Sequence, residues 1–429
     1  MLTRNTIEAY HARTGLPPAT RKIGIELELF CLDTTTLRTL PYQAEDGRVS
    51  VQTLFDHLAA YEGYEVVGNS KTFELKKGRS KISLEPGAQI EFCSTPAETP
   101  EALLEELSDY FAVLKRLSQT FHVSWLDLSY FPLGNAADVP LLPSARCEII
   151  DRYWRHTGTL GLDLMRYTTS LHVSFDYDSV ADLAARVERA LFLKPILFFL
   201  AASSRLRQGM DTGVRSFRVN IYKDTDAPRT GTPGPESLWQ TGCWTLDGYV
   251  EKILQAPAIF SVGTPGVYQE SAHAPFGAYL DQASFSDYLS HLATIYTDVR
   301  VRQYLEVRYL DNPGLRLLPG MIIFLYSLFY DDAAWDEFRR ALPYAFHEVP
   351  AVVDLLNAVS EAADTYWESR LLPPVREYLL ALRERTEPGL AEYLDAVLER
   401  ATNYKRRDIL PDLSSEAGIL AHFKTDFPF

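Results

Sequence analysis

The sequence predicts an α+β fold, in which helices surround an antiparallel sheet with one polar face and a helical region follows at the C-terminus. Four short segments alternate between apolar and polar residues, which is typical of strands that bury one face. After residue 333, apolar residues recur at helical spacing instead. The helices predicted there are 334–341, 351–371, 375–386 and 389–404. Because no long polar linker precedes them, we predict a core at 1–335 and a helical region at 336–429 packed on it.

Each of the four segments places ionisable side chains on one strand face, and the first two are residues 23–30 and 168–175. In residues 23–30, IGIELELF, Glu26 and Glu28 lie on the same side, about 7 Å apart along the strand. Like charges on one strand face repel each other unless something positive lies between them. In residues 168–175, His172 lies among serines on the polar side and is the one strong metal or proton ligand there.

A third segment, residues 82–92, has the sequence ISLEPGAQIEF. Glu85, Gln89 and Glu91 share one parity along it and so belong to one face. The Pro-Gly pair in its middle predicts a bend or a bulge in the strand.

The fourth segment, residues 303–310, places Glu306 and Arg308 together on one face. Each segment alone is typical of an ordinary strand with a solvated face. Together, however, the polar sides hold five glutamates and one histidine, whereas a solvated face usually mixes lysine, threonine and serine with acids. Hard divalent cations prefer oxygen ligands, so this set predicts a Mg²⁺ or Mn²⁺ site, and hence phosphoryl transfer, rather than a zinc site.

The remaining chain predicts further helices and one unusual connection. The predicted helices are 53–61, 99–120 and 181–202, and a further strand is predicted at 122–130. The second helix begins with the capping pattern Thr99-Pro100-Glu101. Residues 203–237 are rich in Gly, Pro and charged residues and are too long for an ordinary connection, so they are either disordered or a functional lid. Their basic residues favour the lid: Arg205, Arg207, Arg215, Arg218, Lys223 and Arg229.

Composition restricts the partners and the compartment. The 429 residues include 57 acidic and 42 basic ones, and the net charge of −15 disfavours nucleic acid or an anionic membrane as a partner. The apolar stretches at 190–202 and 321–330 are too short to span a bilayer, and we expect no secretory leader. The four cysteines lack the spacing of a metal site or a disulfide framework, so we expect a reduced, cytoplasmic protein.

Five strings, in this order and with compatible gaps, resemble the glutamate–cysteine ligase family, in particular its plant and related proteobacterial branch. They are IGIELELF at 23–30, ISLEPGAQIEF at 82–92, GTLGLDLMRYTTSLHVSFDY at 158–177, FRVNIYKDTDAPRTG at 217–231 and YLEVRYLDNP at 304–313. The resemblance covers about residues 20–335. It implies an ATP-dependent carboxylate–amine ligase with a glutamine-synthetase-like fold, in which a curved, mostly antiparallel sheet forms an active-site funnel.

The resemblance also implies roles for individual residues. The metal ligands would be Glu26, Glu28, Glu85, Glu91, His172 and Glu306. Among these, Glu26 and Glu306 would act in catalysis together with Arg308, which we expect to contact the γ-phosphoryl group of ATP. Arg218 resembles the residue that holds the substrate α-carboxylate, Arg152 is a weaker candidate for that role, and Gln89 would lie in the same binding site. One departure is His172, because plant-type enzymes usually have Gln there.

The implied reaction joins the γ-carboxylate of L-glutamate to L-cysteine through γ-glutamyl phosphate, the first step of glutathione-type thiol synthesis. Three alternatives remain open: a ligase for another acid or amine, a guanidino kinase, and a non-catalytic nucleotide- or metal-binding regulator. The mutually repelling carboxylates argue against the regulator, because an inactive site has no reason to keep them. The expected partners are therefore glutamate, cysteine and ATP, for a monomer or a homodimer, with no residue identified as the base.

Overall fold

The structure is a computed structural model of the chain. It describes residues 2–12, 21–44, 47–68, 73–261 and 268–408, together with residues 413, 415, 416, 418 and 419.

Nine strands of the described chain form one sheet, and every pairing in it is antiparallel. The strands of the described chain are β1 Ile23–Asp33, β2 Glu65–Val67, β3 Glu74–Lys77, β4 Ser80–Leu84, β5 Ile90–Cys93, β6 Val123–Leu126, β7 Ser170–Phe175, β8 Leu206–Arg207, β9 Met210–Asp211, β10 Thr230–Gly231, β11 Tyr296–Thr297, β12 Val299–Val301 and β13 Leu305–Asp311. The order in the large sheet is β12-β13-β7-β1-β5-β4-β3-β2, and β6 pairs with the second half of β1. β8 pairs with β9 and β10 with β11, outside the large sheet. The predicted antiparallel sheet is confirmed.

The four segments singled out in the sequence are neighbours in this sheet. On β1, Glu26 lies opposite His172 of β7 on one side and opposite Cys93 of β5 on the other. Two residues further along, Glu28 lies opposite Glu91 of β5. Since side chains alternate between the two faces of a strand, these residues share one face of the sheet. The polar sides of the segments therefore form one continuous surface.

Helices cover the apolar face and the edges of the sheet. They are α1 Arg4–His11, α2 Val51–Tyr61, α3 Pro100–Phe121, α4 Ala145–Trp154, α5 Gly161–Tyr167, α6 Val180–Ala201, α7 Phe217–Lys223, α8 Leu238–Thr241, α9 Leu246–Gln255, α10 Phe285–Leu292, α11 Leu318–Tyr330, α12 Asp332–Ala341, α13 Val349–Asn357, α14 Glu361–Tyr366, α15 Leu372–Arg385, α16 Pro388–Thr402 and α17 Lys405–Asp408. The predicted cap at Thr99 is confirmed, because its side chain accepts a hydrogen bond from the backbone of Ala102. On the apolar face, the ring of Phe175 in β7 stacks on Phe329 of α11 at 3.9 Å between centroids.

The C-terminal helices contact the core directly. Trp367 stacks on Phe199 of α6 at 4.0 Å, and the Arg400 guanidinium donates to the carbonyl of Leu200 at the end of the same helix. The prediction of one helix over 351–371 was wrong, because α13 ends at Asn357 and α14 begins only after the Ser360 cap. Between the two helices the chain pairs with residues near Val214 instead.

Two further predictions concern connections. The strand predicted at 122–130 is shorter, because β6 ends at Leu126. Residues 203–237 contain the β8–β9 hairpin, α7 and β10, and α8 begins just after them at Leu238. Several of their basic side chains pair with acids of this chain, for example Arg207 with Asp163 at 3.2 Å. The lid stays a prediction.

Within the described ranges, no helix is both long enough and apolar enough to cross a membrane. The cysteines Cys31, Cys93, Cys147 and Cys243 are all free thiols.

Candidate active site

A bulge in β13 positions Arg308 over the polar face of the sheet. The register between β13 and β7 shifts between Val307 and Leu310, so that Arg308 and Tyr309 together lie opposite one residue, His172. The two side chains point to opposite faces: the Tyr309 hydroxyl donates to the Ala190 carbonyl of α6, whereas Arg308 Nη1 lies 3.4 Å from His172 Nδ1.

Five of the six predicted metal ligands meet on this face. Glu26, Glu91 and His172 each offer one oxygen or nitrogen, and these atoms lie within 4.8 Å of one another. Glu28, Glu85 and Glu91 form a second group with the same spacing. We refer to them as the histidine cluster and the glutamate cluster, and Glu91 belongs to both. Such oxygen-rich groups with a single imidazole have the chemistry that Mg²⁺ or Mn²⁺ requires.

The electrostatics of the two clusters show strong mutual repulsion. Burial raises the pKa of Glu28 to about 8, and the neighbouring charge of Glu85 adds to this effect. Burial also raises the pKa of Glu85. Burial raises the pKa of Glu91 well above its usual range, and the charges of three neighbouring glutamates add to this effect. A buried carboxylate that its neighbours repel takes up a proton unless a cation neutralises it, so a bound cation would stabilise the charged form of these clusters.

Glu26 and His172 behave differently because they are paired. Burial alone would raise the pKa of Glu26, but the hydrogen bond from His172 holds it well below the usual range, helped by the charges of Arg308 and Arg300. Burial and the positive charge of Arg308 lower the pKa of His172 to about 4. The imidazole is therefore neutral at pH 7, which is the form that binds a metal ion.

Glu306, the sixth predicted ligand, lies apart from both clusters among arginines. It is fully buried and forms ion pairs with Arg300, with Arg302 at 3.3 Å and with Arg308 at 3.4 Å. Burial would raise the pKa of Glu306, but Arg300 and the other arginines lower it. In this structure its nearest charged partners are these arginines.

Beside the glutamate cluster lies an open cleft with about 530 Å³ of empty space. Its lining includes Glu28, Glu85, Gln89, Arg146, Ile150, Trp154, Leu164, Met165, His172, Arg218, Tyr222, Tyr296 and Arg308. Arg218 donates to the carbonyls of Leu310 and Arg308 and to the Tyr222 hydroxyl, at 2.9 to 3.1 Å. These bonds fix its guanidinium at the wall of the cleft.

Two of the predicted binding residues make structural contacts. Gln89 lines the cleft, and its side chain accepts from Gly87 N and donates to the Thr168 carbonyl, both at 2.9 Å, so its amide ties the Pro-Gly turn to the end of α5. Arg152 is half exposed, pairs with Glu270 at 3.1 Å and does not line the cleft.

Arg146 is a charged cleft residue for which no role was predicted from the sequence. It makes no hydrogen bond or ion pair within the part of the chain that the structure describes, although its guanidinium lies 5.8 Å from the Phe260 ring and its charge acts on Glu85. The signal that could have revealed it is helical spacing. Arg146, Ile150 and Trp154 are four residues apart on α4 and all line the cleft.

The fold and the site define the class of protein: a ligase with the glutamine-synthetase-like fold, whose antiparallel sheet presents an acidic cluster to an arginine-lined cleft. The model of glutamate–cysteine ligase family 2 matches residues 22–402. The chain belongs to this family.

Relatives and solved structures agree with this assignment. The chain is 30% identical over 414 residues to the chloroplastic glutamate–cysteine ligase of Arabidopsis thaliana, covering 93% of this chain and 77% of the relative. It is 29% identical to that of Brassica juncea, covering 93% and 78%. The crystal structure of the glutamate–cysteine ligase of Francisella tularensis in complex with AMP has the same fold, with a TM-score of 0.53, 12% identity and coverage of 92% of this chain and 84% of that one.

Proposed function

We propose that this protein joins the γ-carboxylate of L-glutamate to the α-amino group of L-cysteine, with conversion of ATP to ADP and phosphate. The product, γ-glutamylcysteine, is the first intermediate of glutathione-type thiol synthesis. The observation that supports this function most is the juxtaposition of the two acidic clusters with Arg308, Arg218 and Arg146 at one cleft. The choice of glutamate and cysteine as substrates is supported by the relatives, which match across 93% of the chain.

The acidic residues fit a divalent metal. Glu26, Glu28, Glu85, Glu91 and His172 would hold Mg²⁺, and Mn²⁺ has the same ligand preferences. The raised carboxyl pKa values of Glu28, Glu85 and Glu91 and the neutral imidazole support this assignment, because a cation would remove the repulsion. When bound, such ions neutralise the charge that develops on a transferring phosphoryl group.

Arg308 has the best geometry for contacting the γ-phosphoryl group. It is buried beside His172, and its Nε has no hydrogen-bond partner among the described residues. Its contacts to Glu306 and His172, both at 3.4 Å, are long for hydrogen bonds, so the guanidinium keeps donors for a ligand. The N–H groups of a guanidinium can donate hydrogen bonds to two phosphoryl oxygens at once while negative charge develops on these oxygens.

Arg146 and Arg218 would bind the α-carboxylate of glutamate. Both line the cleft next to the glutamate cluster, and Arg146 has no anionic partner in the described chain. With the substrate held there, a γ-carboxylate oxygen attacks the γ-phosphorus of ATP and the bond to ADP breaks. The amine then attacks the acyl carbon, the bond to phosphate breaks and the amine loses its proton. The acyl phosphate is needed because a free carboxylate has a poor leaving group.

The apolar part of the cleft wall does not by itself select cysteine. Ile150, Leu164, Met165 and Tyr296 would accept any small side chain of the amine substrate. A ligase that uses another amine is therefore the second candidate. Because all four cysteines are free, we also propose a reducing compartment such as the cytoplasm.

The test is ADP release from the purified protein with Mg²⁺, ATP and L-glutamate, adding each amino acid in turn and identifying products by mass spectrometry. Release that depends on cysteine, with γ-glutamylcysteine as product, is the expected result. Turnover with a different amine would change the substrate but keep the chemistry. No turnover with any amine would contradict the ligase function.

A further inference from the structure

Two neutral side chains on neighbouring strand positions hold the carboxylate of Glu91. It belongs to both acidic clusters, so its orientation affects every cation bound there. Glu26 is paired with His172 and Glu306 with arginines, whereas Glu91 accepts hydrogen bonds from a neutral hydroxyl and a neutral thiol of the described chain. Ser83 Oγ donates to Glu91 Oε1 at 2.8 Å, and Cys93 Sγ donates to the same oxygen at 3.2 Å.

We propose that Ser83 and Cys93 are positioning residues that hold the Glu91 carboxylate ready for a divalent cation. The inference rests on the proposed metal-dependent function and adds to it the residues that organise its shared ligand. No metal contact is assigned to Ser83 or Cys93 themselves.

The sheet brings the two donors to Glu91 from different strands. Ser83 of β4 lies directly opposite Glu91 in the antiparallel register. Cys93 follows Glu91 by two residues on β5, so its side chain points to the same face of the sheet. Because both positions are fixed by backbone pairing, the two hydrogen bonds lock the rotation of the Glu91 carboxylate without help from a flexible loop.

Neutral donors suit this position for an electrostatic reason. An arginine or lysine would also orient the carboxylate, but its positive charge would repel the incoming cation. A hydroxyl and a thiol orient it without that repulsion. A carboxylate has about four acceptor sites, so two donors on Oε1 leave sites on Glu91 for a metal ion.

The two donors should contribute unequally. A hydroxyl is a full hydrogen-bond donor, whereas a thiol is a weak one. Removing a partner that orients a metal ligand typically weakens metal binding by about 10- to 100-fold. We therefore expect Ser83→Ala to weaken Mn²⁺ binding about tenfold, and Cys93→Ala to weaken it by a smaller factor. Cys93→Ser replaces the thiol by a stronger donor and should bind Mn²⁺ at least as tightly as the wild type.

The experiment is a Mn²⁺ titration of the purified full-length protein without nucleotide, with free Mn²⁺ counted by electron paramagnetic resonance. The variants are Ser83→Ala, Cys93→Ala and Cys93→Ser. Ser80→Ala is the matched control, because this serine lies on the same strand but donates to the Lys77 carbonyl. Thermal unfolding of each variant shows that it is folded. A kinetic readout accompanies the titration: the Mg²⁺ concentration for half-maximal activity should rise while the KM for glutamate stays constant.

The outcomes separate the inference from the function on which it rests. Weaker binding in both alanine variants, with wild-type binding in Cys93→Ser and Ser80→Ala, supports the inference. Wild-type affinity for Mn²⁺ in both alanine variants overturns it. A Cys93→Ser variant that binds Mn²⁺ as weakly as Cys93→Ala also overturns it, because the side chain at position 93 would then act through some property other than hydrogen-bond donation. If the wild type and Glu26→Gln bind Mn²⁺ equally poorly, the metal assignment itself fails.

Discussion

Glu26 and His172 face each other across β1 and β7, and His172 Nδ1 lies 2.8 Å from Glu26 Oε2. This contact joins two of the sequence segments at the centre of the sheet, 146 residues apart in the chain. The hydrogen bond with His172 helps to keep Glu26 charged. Burial and the charge of Arg308 lower the pKa of His172 to about 4 despite the opposing effect of Glu26, so the imidazole stays neutral. The pair therefore offers a carboxylate and an imidazole lone pair to the same ion.

A neutral residue that can accept and donate hydrogen bonds should replace His172 in this role. We expect His172→Gln to keep ATP turnover within about tenfold of the wild type, because the amide keeps a donor for Glu26 and an oxygen for the cation. His172→Ala lacks both and should lose considerably more activity. Steady-state ADP release at saturating Mg²⁺ measures the difference. Equal losses in the two variants would show that the histidine acts through something other than ligation and hydrogen bonding.

Glu28→Gln should stabilise the protein without metal while weakening metal binding. With its pKa raised to about 8, folded Glu28 keeps a proton that the unfolded chain releases above pH 4.5, so stability falls as the pH rises from 4.5 to 8. The glutamine variant avoids this loss. We expect it to be more stable by on the order of 2 kcal/mol at pH 8 and nearly unchanged at pH 5.

Urea unfolding at both pH values in the presence of a chelator checks this prediction. Added Mn²⁺ should reverse the order at pH 8, because the wild type binds the ion more tightly and ligand binding stabilises the folded state. A Glu28→Gln variant that is less stable than the wild type at pH 8 without metal would contradict the repulsion inferred from the glutamate cluster.

Arg146 and Arg152 offer a matched pair of variants on one helix. Arg146 lines the cleft without an anionic partner in the described chain, whereas Arg152 pairs with Glu270 outside it. Arg146→Ala should raise the KM for glutamate by about tenfold or more, since a hydrogen-bonded charge pair is worth about 1.5–3 kcal/mol. Its effect on the KM for ATP should be small. Arg152→Ala should leave both constants unchanged, and initial-rate kinetics with each substrate varied in turn test both statements.

Much of the fold could be predicted because its signals are local. Strict alternation at 23–30 is a property of neighbouring residues, and so is the cap at Thr99. The prediction of one bent strand over 82–92 was wrong, because β4 ends at Leu84 and the chain reverses at the Pro-Gly pair into β5, which pairs antiparallel with β4. The clustering of Glu26, Glu28 and Glu91 could be predicted because each lies on the polar side of its strand. If the strands pair in one sheet, these sides share a face.

The features that escaped prediction depend on contacts distant in sequence. The bulge opposite His172 depends on the register between β13 and β7, and no local pattern in residues 303–310 indicates it. The helix break after Asn357 depends on pairing with the chain near Val214. Arg300 lies in the short apolar-flanked string VRV, which is typical of an ordinary strand, although it is buried against Glu306.

Glu306 and Glu28 are both buried glutamates, but arginines surround Glu306. We therefore expect substitution by glutamine to change the stability of the protein in opposite directions at the two positions. Glu306→Gln removes the anion that Arg300, Arg302 and Arg308 share and leaves buried positive charge uncompensated. Breaking a buried ion pair in this way typically destabilises a protein by about 3–5 kcal/mol. We therefore expect Glu306→Gln to lower the free energy of unfolding by about that amount and to abolish ATP turnover.

The control is Asp354→Asn, which breaks the exposed pair between Asp354 and Lys223 and should have no measurable effect on stability. Urea unfolding of the three proteins at pH 7 in the presence of a chelator makes the comparison. If Glu306→Gln were as stable as the wild type but inactive, Glu306 would act as a metal ligand and not mainly as the counter-ion of the arginines. Because only the counter-ion role predicts a loss of stability in the absence of metal, this measurement distinguishes the two roles of Glu306.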